Sequence, residues 1–326
     1  MTKPDELARR TDPTTREAAA IVAEVFGEPA EAIVRFPIGS SHFVYDVRLA
    51  SGRAVVVRLS RPEQIGEVRG AIYWSRLLRP KGVPLPDLLH ADLSMMRHPF
   101  PLVVLERLPG KDLGRVYRGM SRTELRALAE RLVSIQSIVT ALPPGSGFGY
   151  AASYDGPFAH QSWRAVVAAS FARSRQRIRA AGVIDEGVVD LVEAAAERFS
   201  GHFQRVPPTP FLHDITTKNV IVHEGRLTGI VDVDDLCFGD PLLLPSLIRM
   251  ALLAHGHDTV YVEEWLDILR PNAEQSAVID FYTAQHCVDF MGELGQRFNR
   301  TEAALIDRAY LARLHSLHAQ FLDRIA

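Results

Sequence analysis

Between Phe211 and Asp240 the chain reads FLHDITTKNVIVHEGRLTGIVDVDDLCFGD, a stretch that concentrates the residue types chemistry needs. Four residues separate Asp214 from Asn219, Asp232 ends an apolar run, and Gly239-Asp240-Pro241 follows. NVIV and LTGIVDV, joined by the turn HEGR, read as a short β-hairpin. A loop carboxylate, an amide at the start of one strand and a carboxylate at the end of its partner can therefore converge on one point. Phosphoryl transfer needs such a set: a carboxylate to orient and deprotonate an attacking hydroxyl, and oxygen ligands for the magnesium that neutralises the phosphates. Asn and Asp supply the hard oxygens that magnesium favours. Singly these residues are ordinary turn formers; their joint spacing carries the reading. An acid in an apolar strand needs a partner or a metal to offset its desolvation, which assigns Asp232 to a metal. Asp240, beside Pro241, is assigned instead to the start of a helix.

The elements that must position these groups follow from periodicity. Residues 14–26 begin with Thr and keep apolar residues on one side at helical spacing. EAIVRFPIG, SHFVYDVRLA and RAVVVRLSRP, separated by GSS and SGR, read as three antiparallel strands. A helix is expected over 63–79, and two further strands around Pro86–Leu93 and Phe100–Arg107. Beyond PGKDL helices dominate, at 121–141, about 160–182, 184–200, 242–255, 259–269, 274–295 and 301–325. The segment at 143–149, PPGSGFG, reads as a loop: GSGFG follows no strand and opens no helix, so it fails the context test for a dinucleotide fingerprint.

The Asp-x-x-x-x-Asn spacing followed by a metal-binding Asp is shared with protein-kinase catalytic loops. PIGSSHFVYDVRL, VVVRLSRP, KGVPLP, FPLVVLERLPGKDL, HDITTKNVIV and GIVDVDDLCFGDP, in this order along the chain, resemble the aminoglycoside phosphotransferase and choline kinase-like family across residues 30–255. The resemblance implies an α+β, bilobal, protein kinase-like fold: a five-stranded antiparallel N-lobe over 1–106 and a larger, mostly helical C-lobe over 107–326. It implies a Mg2+-dependent kinase that moves the γ-phosphoryl group of ATP or GTP to a hydroxyl of an antibiotic-like or metabolite acceptor. Position by position, Asp214 becomes the catalytic base, Asn219 and Asp232 the magnesium ligands, and the backbone between Glu106 and Leu108 the hinge that reads the nucleotide base. Ser40 and Ser41 lie in the phosphate-covering loop, where Gly39 is the sole glycine of GSSHF. Arg58 stands where the family more often carries Lys; Arg is a rigid fork and Lys a point charge, so positive charge is kept with a different geometry. Glu67 is its expected helix partner, with Glu63 as competitor. His213 abuts Asp214 directly, where the family usually spaces the two by one residue.

Composition narrows the classes. The 326 residues are 47% hydrophobic, and 37 Lys+Arg against 39 Asp+Glu give a formal net charge of -2. No basic excess points to nucleic acid or to an anionic membrane. The absence of an apolar run near about 18 residues, and of a secretory leader in MTKPDELARR, leads to the expectation of a cytoplasmic protein. Two cysteines without metal spacing argue against a disulfide framework or structural zinc. HxH at His255 and His257 lacks a third ligand and reads as a surface loop. Lys218 reads as a solvated loop charge; Asp234 and Asp235 stay open between supporting a metal ligand, contacting substrate and standing as solvated turn carboxylates, the last for at least one of them; Asp289, Glu293, Glu263, Glu264 and Asp267 read as solvated helix faces. Two alternatives stay open: a haloacid dehalogenase-type phosphatase with Asp232 as nucleophile and Asp234 as acid, and a kinase-like module that binds nucleotide without catalysis.

Overall fold

The computed structural model of the chain describes residues 12–36, 41–296, 298 and 305–326. Helix α1 (Thr15–Phe26) starts at a capping box in which Thr14 and Glu17 satisfy each other's end of the first turn. Strands β1 (Ala30–Arg35), β2 (Phe43–Leu49), β3 (Ala54–Leu59), β4 (Leu88–Asp92) and β5 (Leu102–Glu106) form one antiparallel sheet in the order β1-β2-β3-β5-β4. Strand alternation divides the sheet into two faces. Phe43, Tyr45, Val47 and Leu49 of β2 and Val55, Val57 and Leu59 of β3 are buried against Ala18, Ile21 and Val22 of α1. Each fully buried Ile or Val contributes roughly 1.5–3 kcal/mol. The opposite face carries Val44, Asp46 and Arg58 towards the rest of the molecule.

Helix α2 (Ile65–Leu78) joins the sheet to the helical part. Val68 and Ile72 pack on the sheet beside Val103, while Trp74 and Leu78 enter a core made by later elements. The Trp74 indole donates to the Ala151 carbonyl at 2.9 Å. Where α2 crosses the chain near Asp234, residue 70 is glycine, and a Cβ there would lie 1.9 Å from the Asp234 carbonyl oxygen. The absence of a side chain is thus what lets the helix seat so low.

After β5 come the short β6 (Lys111–Asp112) and α3 (Leu113–Val116), then α4 (Arg122–Thr140), β7 (Gly149–Ala151), α5 (Trp163–Ala181), α6 (Gly187–Ala196), α7 (Ser200–Arg205) and β8 (Thr209–Phe211). The hairpin is β9 (Val220–His223) and β10 (Arg226–Ile230), followed by β11 (Leu236–Gly239). Helices α8 (Leu243–Ala254), α9 (Val260–Leu269), α10 (Ala273–Glu293) and α11 (Arg308–Arg324) complete the helical part. The hairpin turns at Glu224 and Gly225, with φ of 48° and 73°, the left-handed pair that matches strand twist in two-residue turns. Cys237 on β11 and Cys287 on α10 are both fully buried thiols.

Three expectations change. Residues 184–200 form α6 and a 3-10 turn before α7, not one helix. The segment read as a loop at 143–149 ends in β7, which pairs with β11, itself paired to β8, in a small sheet that local pattern did not announce. Strand β10 stops at Ile230, so Asp232 lies beyond the strand, in left-handed backbone with φ 64°. Part of the helix expected over 301–325 lies outside the described residues; α11 begins at Arg308.

Candidate active site

The loop between β8 and β9 holds Asp214 and Asn219 by its own hydrogen bonds. The Asn219 amide donates to the Asp214 carboxylate at 2.9 Å and to its backbone carbonyl at 2.8 Å. Thr216 Oγ1 donates to the other Asp214 oxygen at 3.2 Å. Asn219 N–H closes the turn on Thr216, and its carbonyl accepts from Val231 N–H at 2.9 Å. That last bond ties the loop to the segment leading into Asp232. With Nδ2 engaged by Asp214, Oδ1 is the atom Asn219 can offer a cation.

On β3 stands Arg58, 5% exposed. Its Nη2 donates to Asp234 Oδ2 at 2.5 Å and its Nη1 reaches Asp232 Oδ1 at 3.5 Å. Burial pulls the guanidinium pKa down, but Asp234 and Asp232 outweigh it and hold the charge firmly. Burial likewise pushes Asp234 up, and the Arg58 charge together with the His42 contact reverses this, keeping its carboxyl below the ordinary range. The expected Arg58–Glu67 pair is not the contact made: the acid on Arg58 is Asp234, and Glu67 Oε2 lies 3.2 Å from His42 Nε2. Asp234, one of the two acids whose role the sequence leaves open, is buried in this network, with Oδ1 lacking a hydrogen-bond partner.

His42 is the residue that sequence reasoning passed over. It sits just before β2, and its Nε2 lies 2.7 Å from Asp234 Oδ2 and 2.8 Å from Arg58 Nη2. The signal was the strand register. Phe43 pairs with Leu59 and Val44 with Arg58, which puts residue 42 opposite Ser60, on the Arg58 face and one diagonal step from it. Together His42, Asp232 and Asp234 bring three ligand atoms within 4.8 Å of one another.

Of the remaining expected site residues, Ser40 lies outside the described residues, and Ser41 is partly exposed at the edge of the same loop. Glu106 ends β5 opposite Val55; its carboxylate accepts from Asp87 N–H at 3.1 Å. Leu108 is buried under the segment that follows, and its carbonyl accepts from Arg107 at 2.7 Å while Arg107 also holds Asp46 of β2 at 3.0 Å. The backbone between Glu106 and Leu108, expected from the resemblance to be the hinge, is therefore held by these side chains. On the other flank of Asp214, His213 meets the Tyr150 ring edge-on at 4.7 Å and lies 3.4 Å from Asp235, whose carboxyl burial pushes up to about 6. Beyond them Asp289 accepts from Ser170 and Ser174 at 2.8 and 2.5 Å with Arg173 at 3.6 Å, and Glu293 lies 3.8 Å from Arg177. Asp240 binds Tyr282, His202 and Leu242 N–H, a structural set that anchors β11 to the helices.

Every strand pair among the described residues is antiparallel, so the parallel βαβ frame of a dehalogenase-type phosphatase is not what carries Asp232. No described helix is long and apolar enough to cross a membrane.

Among curated proteins, none matches the sequence. Solved structures do match its fold. Aminoglycoside 2'-phosphotransferase-IIIa in its GDP complex superposes with a TM-score of 0.67 at 14% identity, over 96% of this chain and 99% of that one. Aminoglycoside phosphotransferase APH(4)-Ia gives 0.64 at 18%, over 96% and 97%, and ADP-bound APH(2'')-Ib gives 0.62 at 12%, over 95% and 99%. The architecture is thus the bilobal, kinase-like α+β fold. A profile described as phosphotransferase enzyme family matches residues 32–243, a span that runs from β1 through the Asp214, Asn219 and Asp232 loops to the start of α8. The chain belongs to the phosphotransferase enzyme family.

Proposed function

We propose that the protein is a magnesium-dependent small-molecule kinase that transfers the γ-phosphoryl group of ATP or GTP to a hydroxyl of an antibiotic-like or metabolite acceptor. The observation that carries this reading is the Asp214–Asn219 clamp, tied through Val231 N–H to the segment that leads into Asp232, with Asp232 and Asp234 held by Arg58. Asp214 accepts the acceptor's hydroxyl proton as the oxygen attacks. Arg58 holds the phosphates from the sheet side, and the backbone between Glu106 and Leu108 meets the nucleotide base. In this division residues 1–106 form the nucleotide lobe, and 107–326 carry the base and the acceptor.

The donor set fits a hard divalent cation. Asn219 Oδ1, Asp232 and the unpartnered, buried Asp234 Oδ1 are oxygens gathered on one loop pair. Asn219 and Asp232 would hold magnesium, which when bound neutralises phosphate charge. Structural neighbours give the precedent for donor and acceptor: one holds ADP and hygromycin B, another GDP. On this chain the acids beyond Asp214 already have basic neighbours, Arg173 beside Asp289 and Arg177 beside Glu293. The acceptor is therefore proposed as a hydroxyl compound without commitment to an aminoglycoside.

The test is thermal unfolding of wild type, Asp232→Asn and Asp214→Ala with ATP or GTP, each with magnesium or EDTA. Binding to the native state at about 100 times Kd adds roughly 2.7 kcal/mol. A magnesium-dependent rise in wild type and Asp214→Ala, lost in Asp232→Asn, is expected and names the donor. No rise with either nucleotide would sink the assignment.

A further inference from the structure

His42 touches residues of three elements at once. Its Nδ1 lies 2.6 Å from Ser60 Oγ at the end of β3, and its Nε2 lies 2.7 Å from Asp234 Oδ2, 3.2 Å from Glu67 Oε2 on α2 and 2.8 Å from Arg58 Nη2. The ring is 6% exposed and Ser60 is fully buried. A ring engaged at both nitrogens cannot swing without breaking contacts on opposite sides. Nε2 faces two carboxylates and a guanidinium; a proton on Nε2 can be given to the carboxylates, and Arg58, which only donates, is then held by Asp234 Oδ2 and not by the ring. Asp234 Oδ2 then receives both His42 and Arg58, which fixes the carboxylate's rotation and leaves Oδ1 turned away from them.

We propose that His42 is a positioning residue of the phosphate site, the link through which Glu67 of α2 acts on Asp234 and Arg58 in place of a direct Arg58–Glu67 pair. This rests on the kinase reading above. Glu67, whose side chain is 44% exposed, contacts the buried network at the His42 ring. Removing the ring frees the Asp234 carboxylate to rotate, leaves Arg58 with a mobile partner, and disconnects α2. Partners that orient groups around a metal commonly change its affinity 10–100-fold when lost.

The experiment titrates fluorescent ATP and GTP analogues, in magnesium and in EDTA, into wild type, His42→Leu, His42→Gln, Glu67→Gln and the double variant His42→Leu/Glu67→Gln. His42→Leu is expected to bind about tenfold more weakly in magnesium and equally in EDTA. His42→Gln, whose amide nitrogen can occupy the Nε2 position, restores affinity to within about threefold of wild type. Glu67→Gln weakens binding about threefold in the wild-type background and not at all beside His42→Leu, the non-additivity expected of one linked unit. Equal affinity in folded His42→Leu, or the same Glu67→Gln penalty in both backgrounds, overturns the proposal. Nitrogen NMR of unliganded wild type reads the link without nucleotide: a protonated Nε2 whose resonance shifts in Glu67→Gln supports it, and a bare Nε2 or an unmoved resonance overturns it. If His42→Leu does not fold, that spectrum and His42→Gln decide. Absence of nucleotide binding in wild type, with the NMR link intact, overturns the kinase reading alone.

Discussion

Replacing Gly70 by Ala isolates the role of the close approach between α2 and the Asp234 loop. The new Cβ would stand 1.9 Å from the Asp234 carbonyl oxygen and 3.0 Å from Ala152 Cβ. Contacts below 3.0 Å are essentially never seen, so helix and loop must part by more than 1 Å. Overpacking of this kind costs about 1–3 kcal/mol, against which Ala gains up to about 1 kcal/mol of helix propensity over Gly. The net loss is about 1–2 kcal/mol, or roughly 1.5–3 °C in apparent Tm for a chain of this size. The same shift carries Glu67, nearly one turn earlier, out of reach of His42 from its present 3.2 Å. Gly66→Ala is the matched control: it lies in the first turn of the same helix with nothing within 4 Å of the added Cβ, so it gains stability, up to about 1 kcal/mol. Calorimetry and nucleotide titration of the two variants side by side are the assay. If Gly70→Ala melts with Gly66→Ala and binds nucleotide equally well, the contact does not position the site and the reasoning fails.

Other substitutions separate chemistry from scaffolding. Asp214→Asn is expected to lower phosphoryl transfer about 10²–10⁴-fold while changing nucleotide affinity less than about threefold; nucleoside diphosphate release with an acceptor, or by water, measures the first and titration the second, and parallel loss of both would refute a base role. Tyr282→Phe removes the acceptor of the Trp163 indole and a donor to Asp240, at 2.6 and 2.9 Å; a loss of about 1–3 kcal/mol in urea unfolding is expected, with affinity for nucleotide retained. His318 on α11 is buried with Nε2 unpartnered, and burial lowers its pKa to about 4. Unfolding therefore takes up a proton between pH 4 and 6.5, so stability from this group is full above about pH 6.5 and about 2–3 kcal/mol lower by pH 4.5. Urea melts of wild type and His318→Phe at pH 7 and 4.5 should show a smaller acid loss in the variant; equal losses would assign the acid sensitivity elsewhere.

What was readable in the sequence was what depends on neighbours along the chain. Strand alternation in FVYDVRL and AVVVRL announced β2 and β3, the leading Thr14 with apolar residues at helical spacing announced α1, and HEGR announced the hairpin turn, because each is a local rule. The Asp214 and Asn219 pair was legible for the same reason, being closed within one turn of chain. The partner of Arg58 was not, because Asp234 comes 176 residues later and three acids compete for one guanidinium. Nor was β11, an apolar LCFG whose partners, residues 149–151 and 209–211, are remote in sequence. The left-handed backbone at Asp232 was equally silent: Asp tolerates that region better than most residues, yet nothing in VDVDD marks which Asp adopts it.

The two sequestered thiols give the molecule a built-in clock. Burial raises the Cys237 thiol well above its ordinary pKa and the Cys287 thiol to about 12, so a reagent that consumes thiolates meets neither in the closed protein. Each modification event then counts an excursion in which the surrounding structure opens. Cys237 lies on β11, the strand that follows the acidic loop, and Cys287 lies within α10; both belong to one hydrophobic cluster of the helical part. Their two labelling rates compare opening at a strand with opening at a helix of the same interior, within a single sample and without any introduced probe.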